Sequence, residues 1–220
     1  MNDVLGDDKY KVDREGNISL KRKNNKKFDK IVGRNSEGNR ESLKLDKGVL
    51  GIMENKSTTV ERQYQGENDK IVTSLETYDI TVLNLPLSDG VELFEFLAQA
   101  TGVEWSLFKF GENSSMPTGI LSTSHDETSD IYWNELKDSE YFKESDFNGF
   151  DHIHPAGTSI PSGYFQFRTD KRVGDIGVLI KAEDIHRGKV LVFRIYTAHN
   201  KKYTEFNSGM SMEDDKLPGE

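Results

Sequence analysis

The sequence predicts a mixed α/β fold, and three observations carry that expectation. Apolar residues recur at helical spacing over residues 88–101, and residues 103–110 then alternate with period two. Residues 175–185 read as a second helix, followed by an apolar strand-like run at 189–197. Ahead of both units, residues 1–85 consist of short strand-like runs with polar turns, so a β-rich extension is expected there. The 220 residues are expected to divide into this extension or connector (1–85), the α/β domain (86–207) and a polar tail (208–220).

In chain order, residues 10–12 and 18–20 flank a five-residue loop in which Gly16 can take a positive φ, which predicts a hairpin. Residues 24–42 are rich in Asn, Lys, Ser and Gly and offer little to bury, so they read as loop or linker. Strand character returns at 43–50 and 70–84. Ser88 is expected to cap the helix, whose apolar stripe is Val91, Phe94, Leu97 and Ala98, widened by Leu93 and Phe96. Thr101-Gly102 closes it, with Gly102 suited to a left-handed terminus. In the next strand Val103, Trp105, Leu107 and Lys109 share one face, and Glu104, Ser106, Phe108 and Phe110 the other. Residues 119–124 read as a strand, 131–145 as holding a short helix, and 147–154 as the approach to the most informative segment.

Composition narrows the functions. The chain has no cysteine, so disulfides, thiolate nucleophiles and Cys-ligated metals are out, and any metal must use His and carboxylates. No run approaches the roughly 18 apolar residues of a membrane span. The first residues lack the basic and apolar regions of a signal peptide. Net charge is −9, divided as +4 over residues 1–50 and −13 over the remainder. The run Lys21, Arg22, Lys23, Lys26, Lys27, Lys30 has only Phe28 as an interleaved aromatic and reads as a solvated hairpin edge. The acidic remainder would repel phosphate backbones, so neither nucleic acid nor membrane is expected as partner.

The sharpest motif is Asp151-His152-Ile153-His154-Pro155. Histidines at i and i+2 leave a strand on the same face and can reach one metal ion, and Pro155 ends the ladder beside a loop. His-x-His-Pro, six residues and then Ser162 resembles the motif of the JAMM (MPN-plus) zinc metalloproteases. That motif also has a Glu on an upstream strand after a helix, the position held here by Glu104, 48 residues before His152. The order of elements over residues 86–207 is similar too, closest to the JAB-like toxin domains of bacterial Rhs-type polymorphic toxins. Residues 10–20 (YKVDREGNISL) look like the connector that often precedes such domains.

The resemblance implies a JAMM/cytidine-deaminase-like core holding Zn2+ through His152, His154 and a carboxylate, with Glu104 as general base. Ser162 would hydrogen-bond the oxygen of the tetrahedral intermediate. The family places its Asp three residues after the Ser, where this chain has Phe165. Asp175, at the start of the predicted helix, is preferred as the third ligand; Asp170 is the alternative, and loss of the ligand in a pseudoenzyme that binds a partner is a further one. The resemblance further implies peptide or isopeptide hydrolysis, a protein or peptide substrate and a cognate immunity protein. It also implies delivery without a signal peptide from a bacterium into the cytoplasm of a target cell, as the C-terminal piece of a larger protein. A metal-dependent nuclease toxin is the other enzymatic reading, opposed by the acidic balance. An amidohydrolase barrel is excluded, because only 66 residues follow His154. Among the other histidines, His125 reads as a surface loop, with a place lining the cleft beside the Glu strand as the alternative, His186 as a cation at a helix C-terminus and His199 as a hairpin turn; Trp105 and Trp133 read as core or partly buried.

Overall fold

A computed structural model of the chain describes residues 8–23, 27–50, 57–65, 71–111, 117–125, 136–137, 142, 146–155, 157, 161 and 174–208. The described residues form two mixed sheets and two helices. The first sheet has four strands in the order β2-β1-β3-β4: β1 (Asp8–Val12), β2 (Ile18–Arg22), β3 (Phe28–Arg34) and β4 (Arg40–Asp46). The β1–β2 hairpin turns through Gly16 at φ +84°, as its sequence predicts. The linker expected at residues 24–42 is not what the described residues there show, since β3 and the first three residues of β4 occupy them. Ile31, Leu43 and Leu45 turn inward with period two while Lys30, Arg34 and Lys44 face out, so three apolar side chains suffice to seat a hairpin. Asn35 closes the turn, accepting at Oδ1 from the Glu37 and Asn39 amides.

The second sheet has seven strands in the order β11-β10-β9-β7-β8-β6-β5. Its members are β5 (Ser57–Gln65), β6 (Ile71–Leu83), β7 (Ser106–Phe110), β8 (Gly119–Thr123), β9 (Phe147–Ile153), β10 (Val192–Thr197) and β11 (Lys202–Phe206). Residues 1–85 therefore contribute to both sheets. Neighbouring strands are antiparallel except β9 and β10, which run parallel. A parallel pair needs a crossover, and α2 (Gly174–Ile185) lies on it.

Each face of the large sheet has its own core. Helix α1 (Leu87–Ala100) lies between the two sheets, burying Leu93, Phe94 and Leu97 with Tyr10 and Ile31 on one side and Leu107 and Trp105 on the other. A Cβ on Gly33 would lie 2.5 Å from the Ala100 Cβ, so glycine there sets how closely β3 approaches the helix. On the opposite face Phe108, Phe150, Phe193 and Phe206 pack against Ile176, Leu179 and Ala182 of α2. Both ends of α1 differ from expectation. Pro86 holds the cap position and its carbonyl accepts from the Asp89 and Gly90 amides; Ser88 Oγ bonds Asp89 instead. At the other end Thr101 is extended (φ −118°), because its hydroxyl donates to Leu97 O and accepts from Trp105 Nε1. The helix thus stops through a side-chain clasp rather than a left-handed Gly102.

Candidate metal centre

The site stands at one end of β9, where three elements converge. His152 is the sixth residue of β9 and is fully buried; its ring stacks on Phe150 at 5.0 Å. His154 follows the strand and keeps 16% of its side chain exposed. Their Nε2 atoms lie 3.0 Å apart. Asp175 enters from the first turn of α2, with Oδ1 3.2 Å from His152 Nε2 and Oδ2 3.3 Å from His154 Nε2. Gly174, at φ +61°, supplies the left-handed residue that opens this helix.

Glu104 completes the group: one of its oxygens lies within 4.8 Å of a ligand atom of each histidine, and it is buried. It sits two residues before β7 begins, on the lead-in rather than on the strand itself. That lead-in is pinned at several points. Glu104 O accepts from Thr123 Oγ1 at 2.6 Å, Trp105 O accepts from the Ile153 amide at 3.1 Å, and the Gly102 amide donates to Arg14 O at 2.7 Å. The alternation expected from sequence holds: Val103, Trp105 and Leu107 lie in the α1-side core, Phe108 and Phe110 in the α2-side core.

The donors fit a small divalent ion. Bonds of about 2.0–2.1 Å to a tetrahedral ion set neighbouring ligand atoms roughly 3.3 Å apart, which the three measured separations approach. Burial alone would raise the Asp175 carboxyl, but the charge on His152 and hydrogen bonds from His152 and His154 outweigh it and hold the group far below the usual carboxylate range. The group is therefore an anionic, proton-free donor at any physiological pH. Phe150 and Phe206 flank His152, so the centre is dry on its inner side. On its outer side, a groove of about 530 Å³ reaches His154 and Pro155 past Gln99, the 35–39 turn and His199.

One functional feature escaped the sequence reading. Asp151, between Phe150 and His152, is fully buried and faces the α1 side, away from the metal ligands. It accepts from Lys109 Nζ at 2.5 Å and from Arg194 Nε and Nη2 at 2.8 and 2.6 Å. Arg194 is the register partner of Asp151 on β10, and Lys109 reaches it diagonally from β7, where its own partner is Gly149, so one carboxylate ties the His strand to both flanking strands. Burial pushes the Lys109 ammonium down from its ordinary value against the opposing carboxylate, and the bonds to Asp151 raise Arg194. A charged residue on the same face of each of three adjacent strands, two of them buried, is the signal that was available.

The remaining expectations divide. Ser162, Asp170, Phe165, Trp133 and most of residues 131–145 lie outside the described residues. His199 sits in the β10–β11 turn as expected, and Trp105 is core. His186 does follow a helix end, but burial and Lys189 lower its pKa and it packs edge-on to Phe142, which disfavours the cationic form. His125 is no simple surface residue. Its Nδ1 lies 2.6 Å from Glu15 O and its Nε2 3.0 Å from Asp79, which bridges the β1–β2 turn to β6.

A mixed sheet presenting two histidines from one strand end, an Asp from a helix start and a buried Glu defines an α/β domain with a candidate metal centre. Residues 86–179 match the model of the family described as JAB-like toxin 1, so this part of the chain is similar to JAB-like toxin domains. The match spans Glu104, His152, His154 and Asp175, and covers less than half of the 220 residues. No curated protein and no solved structure matches the chain.

Proposed function

We propose that this domain is a zinc-dependent peptidase of the JAMM type, hydrolysing a peptide or isopeptide bond. The observation that carries the reading is the near-tetrahedral spacing of His152 Nε2, His154 Nε2 and an Asp175 oxygen, with Glu104 beside them. Zinc bound there would lower the pKa of a coordinated water from about 15.7 to about 7 and polarise the scissile carbonyl. Glu104 accepts the proton of the attacking water and delivers it to the leaving amine. The pinned lead-in fixes the backbone that carries this carboxylate, which lowers the cost of positioning it for reaction. Ser162, by likeness to the family motif, donates to the developing oxyanion; loss of such a donor costs about 10²–10³ in rate. The polar groove that reaches His154 suits an extended peptide.

In this reading the domain is the toxic tip of a larger secreted bacterial protein of the Rhs type. It acts on a protein in the target-cell cytoplasm and is neutralised by an immunity protein. The test is a peptide-library digest, read by mass spectrometry, of the zinc-loaded chain beside Glu104→Gln. New termini with the native chain, none with Glu104→Gln and equal zinc in both support the reading. Cleavage that survives Glu104→Gln overturns it, and so does a zinc-loaded native chain that cleaves nothing in the library.

A further inference from the structure

The four-stranded sheet carries an arrangement of charge that no described carboxylate answers. Arg22, Lys9, Lys30 and Lys44 are register partners on β2, β1, β3 and β4, so four cations cross the sheet in one row at spacings of about 4.8 Å. Arg34 and Arg40 face each other in the same way farther along β3 and β4. Like charges directly opposite one another destabilise a sheet. Yet among the described residues no carboxylate comes within ion-pair distance of any of these six cations.

Beside this row lies a groove of about 590 Å³. Six cations line it: Lys9, Lys11, Arg14, Lys21, Arg34 and Arg40. Between them are Val12, Val32, Gly33 and Ala100, all buried, so the lining is part apolar beneath a cationic rim. The two acids that also line it are Asp13 and Glu15, and Asp13 is spent on Asn17 within its own turn.

We propose that this groove docks an acidic, partly apolar segment of a second protein, with carboxylates on the rim and an apolar side chain against Val32. Charge complementarity and the mixed lining select this occupant. A nucleic-acid backbone has no apolar group for the floor, and Tyr10, the groove's one aromatic, is 5% exposed and offers no platform for bases. A planar lipid surface cannot enter a cavity of this kind. The proposal is independent of the hydrolytic reading, because none of the residues it uses belongs to the metal centre.

The test is fluorescence anisotropy of the full chain with a short labelled peptide of alternating Glu and Leu. Single-stranded DNA and vesicles of phosphatidylcholine with phosphatidylserine serve as the competing probes. The native chain should bind the peptide more tightly than either competitor. Lys9→Glu/Arg34→Glu/Arg40→Glu should weaken peptide binding about 30-fold, each charge contributing a factor of about three. Lys181→Glu/Arg187→Glu, on and just after α2 at the opposite face of the large sheet, should leave it unchanged. If the charge-reversed chain melts early, the neutral pair Lys11→Gln/Arg40→Gln should still weaken binding at unchanged melting temperature. Failure of the native chain to bind the peptide, tighter binding of DNA or vesicles, or equal affinity in the rim variants overturns the proposal.

Discussion

Replacing Asp151 by Asn removes the charge that joins three strands while keeping the side chain's shape. Asp151 is fully buried and Lys109 keeps 8% of its side chain exposed, so the ammonium left behind has little access to water. Arg194 keeps 26% and rests on the Tyr203 ring at 4.0 Å, so it can rehydrate and adds less to the loss. Breaking a buried pair from one side costs about 3–5 kcal/mol, and the lower half of that range applies because the Asn carbonyl still accepts one bond. Urea denaturation followed by tryptophan fluorescence should show a lower midpoint at unchanged slope. Adding Lys109→Met removes the stranded ammonium and should recover about 2 kcal/mol, a coupling readable as a double-mutant cycle. A loss under about 1 kcal/mol for Asp151→Asn, or additive effects of the two changes, would refute the view that this carboxylate anchors the His strand.

Other consequences follow from single positions. A Cβ on Gly149, at φ +153°, would stand 1.9 Å from Val192 O. Gly149→Ala should therefore split β9 from β10, cost more than about 3 kcal/mol and lower zinc retention during dialysis, a loss that circular dichroism and metal analysis would detect. His125 has a raised pKa, chiefly through its bond to Asp79 and further through Glu15 O, partly offset by burial. Its stabilising effect is then complete below the unfolded value of about 6.5 and fades as pH climbs through the raised folded value. His125→Asn, which tolerates the φ of +59°, should lower the melting temperature at pH 5.5 by an amount corresponding to about 1 kcal/mol and leave it nearly unchanged at pH 9. An equal drop at both pH values would contradict the bridge.

Much of this architecture was legible because chemistry and periodicity agreed. His152-Ile153-His154-Pro155 states its own geometry: a period-two strand puts both rings on one side, and proline ends the ladder. The alternation from Val103 to Phe110 likewise foretold two buried faces. The β3–β4 hairpin was missed because it seats on the core by very few apolar residues, most of its side chains facing out in polar company. Asp175 could be named as a helix-start carboxylate, but its nearness to both histidines depends on how the β9–β10 crossover folds back, which no local pattern encodes. Helix α1 ended differently from its residue pattern because a tertiary bond, Trp105 to Thr101, took over the cap.

Elemental mass spectrometry of the purified chain after zinc loading and dialysis tests the central claim most directly, with Asp175→Ala, Asp170→Ala and Glu104→Gln alongside. The account predicts one zinc per chain, retained in Asp170→Ala and Glu104→Gln and lost in Asp175→Ala. A native chain that retains no zinc, or an Asp175→Ala chain that keeps it, would contradict the metal centre described here.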